Sequence, residues 1–143
     1  EWAAVEMTKS VIDDVKARRV DAADLVISRS CKGTLKRDGT VDFSKVYNNP
    51  NGLPYVRAAK KRIERDLPFT PGMKVGYVVT NAKNSPMDVE PWLVDEIGED
   101  PPRYDPEYYA RRLATALGRI TEAFGWGDTE LMSGSRQQTL FDF

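Results

Sequence analysis

The sequence predicts an α+β fold in which helices predominate. Apolar residues recur at helical spacing over residues 2–18 and again over 105–124, and the run 74–80 has the β-branched and aromatic residues typical of a strand. With 143 residues, 41% of them hydrophobic and 30% charged, the chain has the size and composition of one ordinary globular domain. We therefore expect a helix-dominated domain over residues 1–131 with one short strand element, followed by a flexible tail over residues 132–143.

The first helix is predicted over residues 2–18, because polar residues separate apolar ones at helical spacing. Its inward side is expected to carry Trp2, Val5, Val11, Ile12 and Val15. After this helix, Asp21 is placed to cap a short helical turn. The segment 25–27, Leu-Val-Ile, then indicates the start of a strand or a buried segment.

Residues 33–52 are rich in Gly, Asn, Asp and Lys, and they contain the turn signals Asp38-Gly39 and Asn51-Gly52. We expect a loop or a small hairpin there, as an insertion in the domain. The next helix is predicted over residues 53–67, and Pro68 ends it. Its inward side is expected to carry Leu53, Val56, Ala59 and Ile63.

The last predicted helix has clear signals at both ends. Asp105 is a typical N-cap, Pro106 suits the first helical position, and Gly125 suits the end of a helix that closes near residue 124. Its inward side is expected to carry Tyr109, Leu113, Ala116, Leu117, Ile120 and Phe124. The stretch that leads to this helix is expected to be mostly loop, and so are residues 127–130 after it.

Charge is distributed unevenly, although the net charge is only −1. Residues 54–65 carry one anion, Glu64, and five cations, which gives a local charge of +4; the cations are Arg57, Lys60, Lys61, Arg62 and Arg65. Residues 85–107 carry eight acids against a single cation, Arg103. A basic helix can follow a phosphate backbone, whereas the acidic stretch would avoid one.

Composition excludes several kinds of site. The chain has no His and one Cys, Cys31, so it can form neither an internal disulfide nor a Ser-His-Asp triad, and a zinc site is not expected. No apolar run approaches the ~20 residues that span a bilayer, so we expect no membrane partner. No signal peptide is visible, and because the chain starts at Glu1 rather than Met, we expect it to be part of a longer protein.

Four blocks, in order along the chain, resemble the thumb domain of family B DNA polymerases. Asp24-Leu25-Val26-Ile27-Ser28-Arg29-Ser30 is similar to the D-L-V-I entry to that thumb, and Pro54-Tyr55-Val56-Arg57-Ala58-Ala59-Lys60-Lys61 to its P-H-V-x-A-A-K-R helix. Pro71-Gly72-Met73-Lys74-Val75-Gly76-Tyr77-Val78-Val79 is similar to its P-G-x-x-I-x-Y-V-V strand, and Tyr104-Asp105-Pro106-Glu107-Tyr108-Tyr109 to the start of its last helix, which Phe124-Gly125 closes. The resemblance covers most of the chain and implies the C-terminal thumb of an archaeal-type replicative polymerase, as a fragment or as the small subunit of a split enzyme.

The departures from the family bear on activity. Tyr55 stands where the family's helix block commonly has His, and residues 33–52 are longer and more polar than the family's connection. The family's catalytic carboxylates lie in the palm, in D-x-x-S-L-Y-P and D-T-D motifs, and this sequence has neither. Because such carboxylates hold the metal ions of nucleotidyl transfer, we expect no catalytic residue, no metal site and no cofactor in this chain. The Mg²⁺ belongs to the palm of the complete enzyme.

The last seven residues resemble the PIP box, the peptide by which replication proteins bind the sliding clamp PCNA. Gln137, Leu140 and Phe143 have its spacing, with a glutamine followed at the third position by an aliphatic residue and at the sixth by an aromatic one. The resemblance implies that Gln137 enters a polar pocket of the clamp, and that Leu140, Phe141 and Phe143 enter its hydrophobic groove. The usual apolar residue after Phe143 is absent, which implies weaker docking.

The resemblance also implies that this domain holds primer–template duplex through phosphate contacts that do not depend on base sequence. The expected contacts are Arg29, Ser30 and Lys32 in the entry segment and Tyr55, Arg57, Lys60 and Lys61 on the basic helix. Positions 57, 60 and 61 share one face of a helix, so these three cations are expected to point together. We expect the rest of the polymerase, duplex DNA and PCNA as partners, and a cytoplasmic, nucleoid-associated location.

Two other functions stay open at this point. The chain could be a stand-alone clamp-binding adaptor without DNA contact, whose basic helix binds an acidic protein. It could also be a plain interaction module whose tail is structural. Duplex affinity measured against salt separates the first from a polymerase thumb, and proteolysis at residues 133–135 tests the second.

Overall fold

A computed structural model describes residues 2–92 and 100–134, and it confirms an α+β fold in which helices predominate. The helices are α1 (Trp2–Lys16), α2 (Pro54–Glu64), α3 (Pro106–Thr121) and α4 (Asp128–Ser133). The strands are β1 (Ile27–Ser30), β2 (Thr34–Leu35), β3 (Val41–Asp42), β4 (Lys74–Asn81) and β5 (Asp88–Pro91), so the expectation of one strand element is wrong. No helix in the described part of the chain has the length and hydropathy needed to cross a bilayer.

Contacts divide the chain into two compact units, one comprising Glu1–Asp21 and Asp105–Phe143 and the other Ala22–Tyr104. In the first unit, α1 packs against α3 and α4. Val5, Ile12 and Val15 are buried, as the helical spacing predicts, whereas Val11 is 39% exposed. The side chain of Trp2 lies outside the described part of the structure.

The helix α3 begins where the sequence predicts. The Asp105 carboxylate accepts hydrogen bonds from the backbone N–H groups of Glu107 and Tyr108, at 3.1 and 3.2 Å. A cap of this kind stabilises a helix by about 1 kcal/mol. After α3, a 3-10 turn over Glu122–Phe124 leads to Gly125, whose φ of 81° is the left-handed conformation that glycine adopts readily.

The inward side of α3 differs from the prediction. Ala116 and Ile120 face solvent, and Ile120 is 66% exposed. The buried side is formed by Tyr109, Ala110, Ala114, Gly118 and Thr121. A Cβ at Gly118 would lie 2.9 Å from the backbone nitrogen of Asp128, so α4 starts too close to α3 for any side chain at that position. After Tyr109, which is buried as predicted, the small residues Ala110, Ala114 and Gly118 therefore mark the contact side of this helix.

The prediction of a loop at residues 127–130 is wrong, because α4 begins at Asp128. The Gly127 N–H donates to the Glu130 carboxylate at 3.1 Å, which satisfies one of the unpaired donors at the helix start. Leu131 is buried and attaches the short helix to the first unit. A capping residue followed three positions later by Glu is the sequence signal for this helix.

The second unit begins with the short turn that the sequence predicts after Asp21, a 3-10 turn over Ala22–Leu25, and β1 follows it. An antiparallel sheet is formed with strand order β1-β4-β5. The central strand β4 is buried from residue 75 to residue 79, which confirms the predicted strand. The edge strand β5 lies in a stretch that the sequence predicts as loop, and it ends at Pro91, a residue tolerated on edge strands because one side makes no ladder bonds.

The strands β2 and β3 form a small hairpin within residues 33–52, one of the two structures that the sequence predicts there. The Lys36 N–H donates to the Thr40 carbonyl at 2.8 Å across the turn, where Gly39 has a φ of 88°. At the base of the hairpin, the buried Phe43 ring lies 5.7 Å from the Phe69 ring.

The helix α2 packs on β4 and β5. Val56 and Ala59 are buried as predicted, but Ile63 is 41% exposed. Arg62 takes the buried position instead: it is 1% exposed, and its guanidinium donates twice to the Pro68 carbonyl, at 3.0 and 2.7 Å. A hydrophobic pattern does not anticipate a buried arginine, because its burial depends on the carbonyl that receives it.

Candidate nucleic-acid interface

The strand β1 forms an exposed polar edge of the sheet. Ser28, Arg29 and Ser30 are all exposed, and β1 pairs on one side only, with β4. Lys74 stands opposite Ser30 in the antiparallel register and is exposed as well. Residues that stand opposite each other share a face of the sheet. We call Arg29, Ser30, Lys32 and Lys74 the basic edge.

The backbone after β1 is held so that Lys32 faces solvent. The Cys31 N–H donates to the Met73 carbonyl at 2.9 Å, and the Gly72 N–H donates to the Cys31 carbonyl at 2.7 Å. The Cys31 side chain is buried, and this burial raises the pKa of its thiol to about 11, so the thiol stays neutral and packs as a small apolar group. Neighbouring residues of an extended segment point to opposite sides, and Lys32 is accordingly exposed.

Two tyrosines support this segment. The Lys32 N–H donates to the Tyr47 hydroxyl at 3.0 Å, and the Tyr47 and Tyr55 rings meet edge to face with their centres 5.8 Å apart. Burial raises the pKa of the Tyr55 hydroxyl, and the neighbouring Tyr47 raises it further. The charge of Arg29 lowers this pKa by a smaller amount. Tyr55 is therefore neutral at physiological pH and lies within the electrostatic reach of Arg29. The structure thus places Arg29 and the backbone of Lys32 beside the pair formed by Tyr47 and Tyr55. The DNA contacts of Arg29, Lys32 and Tyr55 stay a prediction.

The cations of the basic edge have no acidic partner in the described structure. Between residues 2–92 and 100–134, none of the ion pairs involves Arg29, Lys32 or Lys74. Lys74 is not among the sequence-predicted contacts, because only the pairing register of β1 with β4 places it beside Ser30. Arg29 stands opposite Val75, so it lies on the other face of the sheet from Ser30 and Lys74. Cations and a serine hydroxyl at such positions can bind phosphate oxygens.

Two side chains of the basic helix α2 that are predicted to contact DNA form hydrogen bonds within the second unit. The Arg57 guanidinium donates to the backbone carbonyl of Met87, just before β5. The Lys61 ammonium donates to the Val89 carbonyl within β5, at 2.8 Å. Both side chains thus attach α2 to the neighbouring edge strand.

Lys60 has different partners from Arg57 and Lys61. Its ammonium donates to the Asn51 side-chain oxygen at 2.6 Å and lies 5.9 Å from the centre of the Phe43 ring. The expectation that the three cations point together is therefore wrong. Shared helical spacing places residues on one side of a helix, but hydrogen-bond acceptors on the surrounding elements decide where long side chains end.

Glu90 of β5 forms ion pairs with two cations of residues 54–65. Its carboxylate lies 2.9 Å from the Lys61 ammonium and 2.7 Å from the Arg65 guanidinium. Burial by itself would raise the pKa of Glu90, but the hydrogen bonds and charges of Lys61 and Arg65 outweigh burial and lower the pKa from its ordinary value of 4.5. Glu90 is therefore ionised at neutral pH, and the local charge of α2 is smaller than its sequence indicates.

The predicted clamp-binding residues, Gln137, Leu140, Phe141 and Phe143, lie outside the described residues. Within the described ranges, no group of three or more Cys, Asp and Glu side chains is placed to hold a metal ion. The chemistry that this arrangement supports is the binding of phosphate groups at the basic edge.

Comparison with known proteins shows that the sequence of this chain is similar to parts of DNA polymerases. The chain is 29% identical over 140 residues to a DNA polymerase of Thermococcus litoralis, 30% identical over 143 residues to DNA polymerase 2 of Aeropyrum pernix, and 33% identical over 87 residues to a DNA polymerase of Pyrococcus glycovorans. These alignments cover 97%, 98% and 60% of this chain, but only 8%, 16% and 11% of the relatives. No protein-family model matches the chain. Along nearly its whole length, the chain is thus homologous to a short part of archaeal DNA polymerases.

Proposed function

We propose that this chain is the thumb part of a family B DNA polymerase, and that it holds the primer–template duplex without taking part in the chemical step. Two findings support the proposal: the similarity to DNA polymerases, and the basic edge. The observation that carries it is the exposure of Arg29, Lys32 and Lys74 along β1 and the start of β4, with no acidic partner in the described structure. A surface of that kind attracts phosphates without selecting a base sequence.

Each group of the basic edge has a distinct part in the proposed grip. The planar guanidinium of Arg29 can donate two parallel hydrogen bonds to one phosphate, whereas Lys32 and Lys74 act as point charges. The hydroxyl groups of Ser30 and Tyr55 donate to phosphate or sugar oxygens and fix the register of the strand. Arg57, Lys60 and Lys61 also stay proposed contacts, but each would have to give up a hydrogen bond within the protein to bind a phosphate.

We further propose that residues 137–143 attach the polymerase to PCNA, with Gln137, Leu140, Phe141 and Phe143 as the contacts. Their spacing supports this part of the proposal. A clamp that encircles the same duplex keeps the polymerase at a high effective concentration, so even a weak peptide contact lowers its loss from DNA. The catalytic carboxylates and their Mg²⁺ then belong to the rest of the polymerase, and the assembly works at the nucleoid.

The grip is tested by duplex binding measured against salt. The triple variant Arg29→Gln/Lys32→Gln/Lys74→Gln should lower the slope of log affinity against log salt by about 0.9 for each phosphate contact, with roughly a ten-fold loss of affinity per contact at ~0.1 M salt. The triple variant Lys9→Gln/Arg19→Gln/Lys83→Gln removes the same charge elsewhere and serves as the control. Equal slopes for the two variants would refute the grip.

The clamp contact needs a separate experiment, because an adaptor without DNA contact would also bind PCNA. Removal of residues 137–143 should abolish capture of the chain by immobilised PCNA and leave duplex affinity unchanged. A chain that binds PCNA through this tail but shows no salt-dependent duplex affinity would instead be the clamp-binding adaptor. Capture that survives the truncation would refute the PIP-box assignment.

A further inference from the structure

A groove on the solvent side of α3 has an arginine-rich lining that the proposed grip does not use. Its volume is about 470 Å³, and it is lined by Tyr108, Arg111, Arg112, Thr115, Ala116 and Arg119. These positions recur at intervals of three and four residues, so they share one side of the helix. The groove belongs entirely to the first unit, whereas the basic edge belongs to the second.

The shape of the groove follows from the size of its side chains. Thr115 and Ala116 form a low floor, with Arg112 before it and Arg119 after it along the helix. Arg112 and Arg119 are separated by about 10 Å along the helix axis, at 1.5 Å per residue. The depression therefore has a cation at each end, and two cations at its ends attract anionic groups.

One arginine of the groove is already oriented. The Arg112 guanidinium donates to the Tyr108 hydroxyl at 3.1 Å and lies 5.7 Å from the centre of the Tyr108 ring. This contact leaves the other guanidinium N–H groups for a ligand, and it reduces the rotamer freedom that would be lost on binding. The Thr115 hydroxyl is exposed on the floor and is a further donor.

The groove has little internal compensation for its charge. Among residues 2–92 and 100–134, no acidic residue lines the groove, and Glu107 lies 3.7 Å from Arg111 in an exposed pair. Among the described residues, Arg112 and Arg119 take part in no ion pair. Exposed pairs of this type contribute little to stability, so Arg111 can exchange Glu107 for a stronger anion. All three cations are arginine, the side chain that binds phosphate by two parallel hydrogen bonds.

We propose that the α3 groove, defined by Arg111, Arg112, Thr115 and Arg119, binds the sugar–phosphate backbone of duplex DNA as a second contact surface. This inference rests on the proposed function for the identity of the ligand, but it uses residues of a different unit. The contact is independent of base sequence, since guanidinium groups on a shallow helix surface bind phosphates rather than base edges.

The test compares three double variants of the whole chain for duplex binding against salt. The groove variant Arg112→Gln/Arg119→Gln should lower the salt slope by about 0.9 per contact and weaken binding roughly ten-fold per contact at ~0.1 M salt. Arg112→Lys/Arg119→Lys keeps the charge and should retain most of the slope while it loses affinity, because lysine lacks the planar fork. The control, Arg19→Gln/Lys83→Gln, removes the same charge outside the groove. Urea unfolding of each variant checks that the fold is intact.

The outcomes separate this inference from the proposed grip. If the basic-edge variant loses affinity while the groove variant matches its control, the grip stands and the groove inference fails. If only the groove variant loses affinity, the groove inference stands and the grip at the basic edge fails. Weaker capture of an acidic protein by the groove variant, with unchanged duplex binding, would also overturn the inference, because it would assign the arginines to a protein partner.

Discussion

The helix α2 and the strand β1 are both basic in sequence, yet they use their cations differently. On α2, Arg57 and Lys61 donate to backbone carbonyls in or beside β5, and Glu90 neutralises Lys61 and Arg65. On the edge formed by β1, the cations Arg29 and Lys32 meet no acid in the described structure. The segment with more cations, residues 54–65, thus has more of them engaged in contacts within the protein.

This difference shows that the partners of a cation, rather than the count of cations, determine its availability to a ligand. A lysine that is hydrogen-bonded to a carbonyl and a carboxylate must lose both contacts before it can bind a phosphate, whereas an exposed lysine loses only water. The predictions that follow concern how much the contacts of these cations contribute to stability and how they affect duplex affinity.

The largest effect is expected at Arg62. The substitution Arg62→Ala removes a buried guanidinium, leaves the Pro68 carbonyl without two donors and opens a cavity beneath α2. We expect a loss of about 2–4 kcal/mol in the free energy of unfolding, measured with urea. Arg65→Ala, at an exposed position of the same segment, is the matched control and should lower stability by less than about 1 kcal/mol. Equal losses for the two variants would show that α2 does not depend on its buried arginine.

A smaller effect is expected from the ion pair between Lys61 and Glu90. A double-mutant cycle with Lys61→Gln and Glu90→Gln should give a coupling energy of roughly 0.5–1 kcal/mol in unfolding, because both side chains are partly exposed to solvent. A coupling near zero would mean that Lys61 is held by the Val89 carbonyl alone.

The stability that Glu90 contributes should depend on pH. The pKa of Glu90 in the folded chain lies below its ordinary value of 4.5, so its contribution is complete above that value and is lost as the pH falls through the lowered pKa. The urea midpoint of the parent chain should exceed that of Glu90→Gln at pH ~7, and the gap between the two midpoints should narrow as the pH falls below 4.5. Asp38 and Asp42 also have lowered pKa values, but they are present in both chains and cancel in the difference. A gap that does not change with pH would contradict the assignment.

The smallest effect concerns DNA. Glu90→Gln releases Lys61 and Arg65 from their carboxylate, so duplex affinity should rise by about two- to five-fold at low salt, with a slightly steeper salt slope. Asp88→Asn, which removes a charge from the same strand without releasing either cation, is the control. A rise that is the same for both variants would be a general charge effect and would not support release.

The sequence predicts elements whose signals are local and misses features that depend on a neighbour. Asp105 and Gly125 bracket the last helix because caps depend on adjacent backbone alone. The strand β5 is missed because its four residues include two acids and a proline, and only its pairing with β4 makes it a strand. The buried side of α3 differs from the predicted side because Gly118 contacts the start of α4. Helical periodicity carries no information about that tertiary contact.

The same distinction applies to the candidate site. Arg29, Ser30 and Lys32 are predictable from the block that resembles the polymerase thumb, and the structure adds Lys74 through strand register. The arginines of α3 are not predicted, because the expected inward side includes Ala116, which is exposed in the groove. The sequence alone could have found them as cations at intervals of three and four residues on one helix.

The hairpin of β2 and β3 has a consequence for engineering. Its tip is closed by its own bonds, because the Lys36 N–H donates to the Thr40 carbonyl and Thr40 donates to the Asp38 carboxylate. Its base is attached through Phe43 and Tyr47. The tip should therefore accept a peptide label or a fluorophore attachment site, provided that the base residues keep their places. A reporter placed there would follow the chain during assembly with its partners and leave the backbone of Lys32 undisturbed.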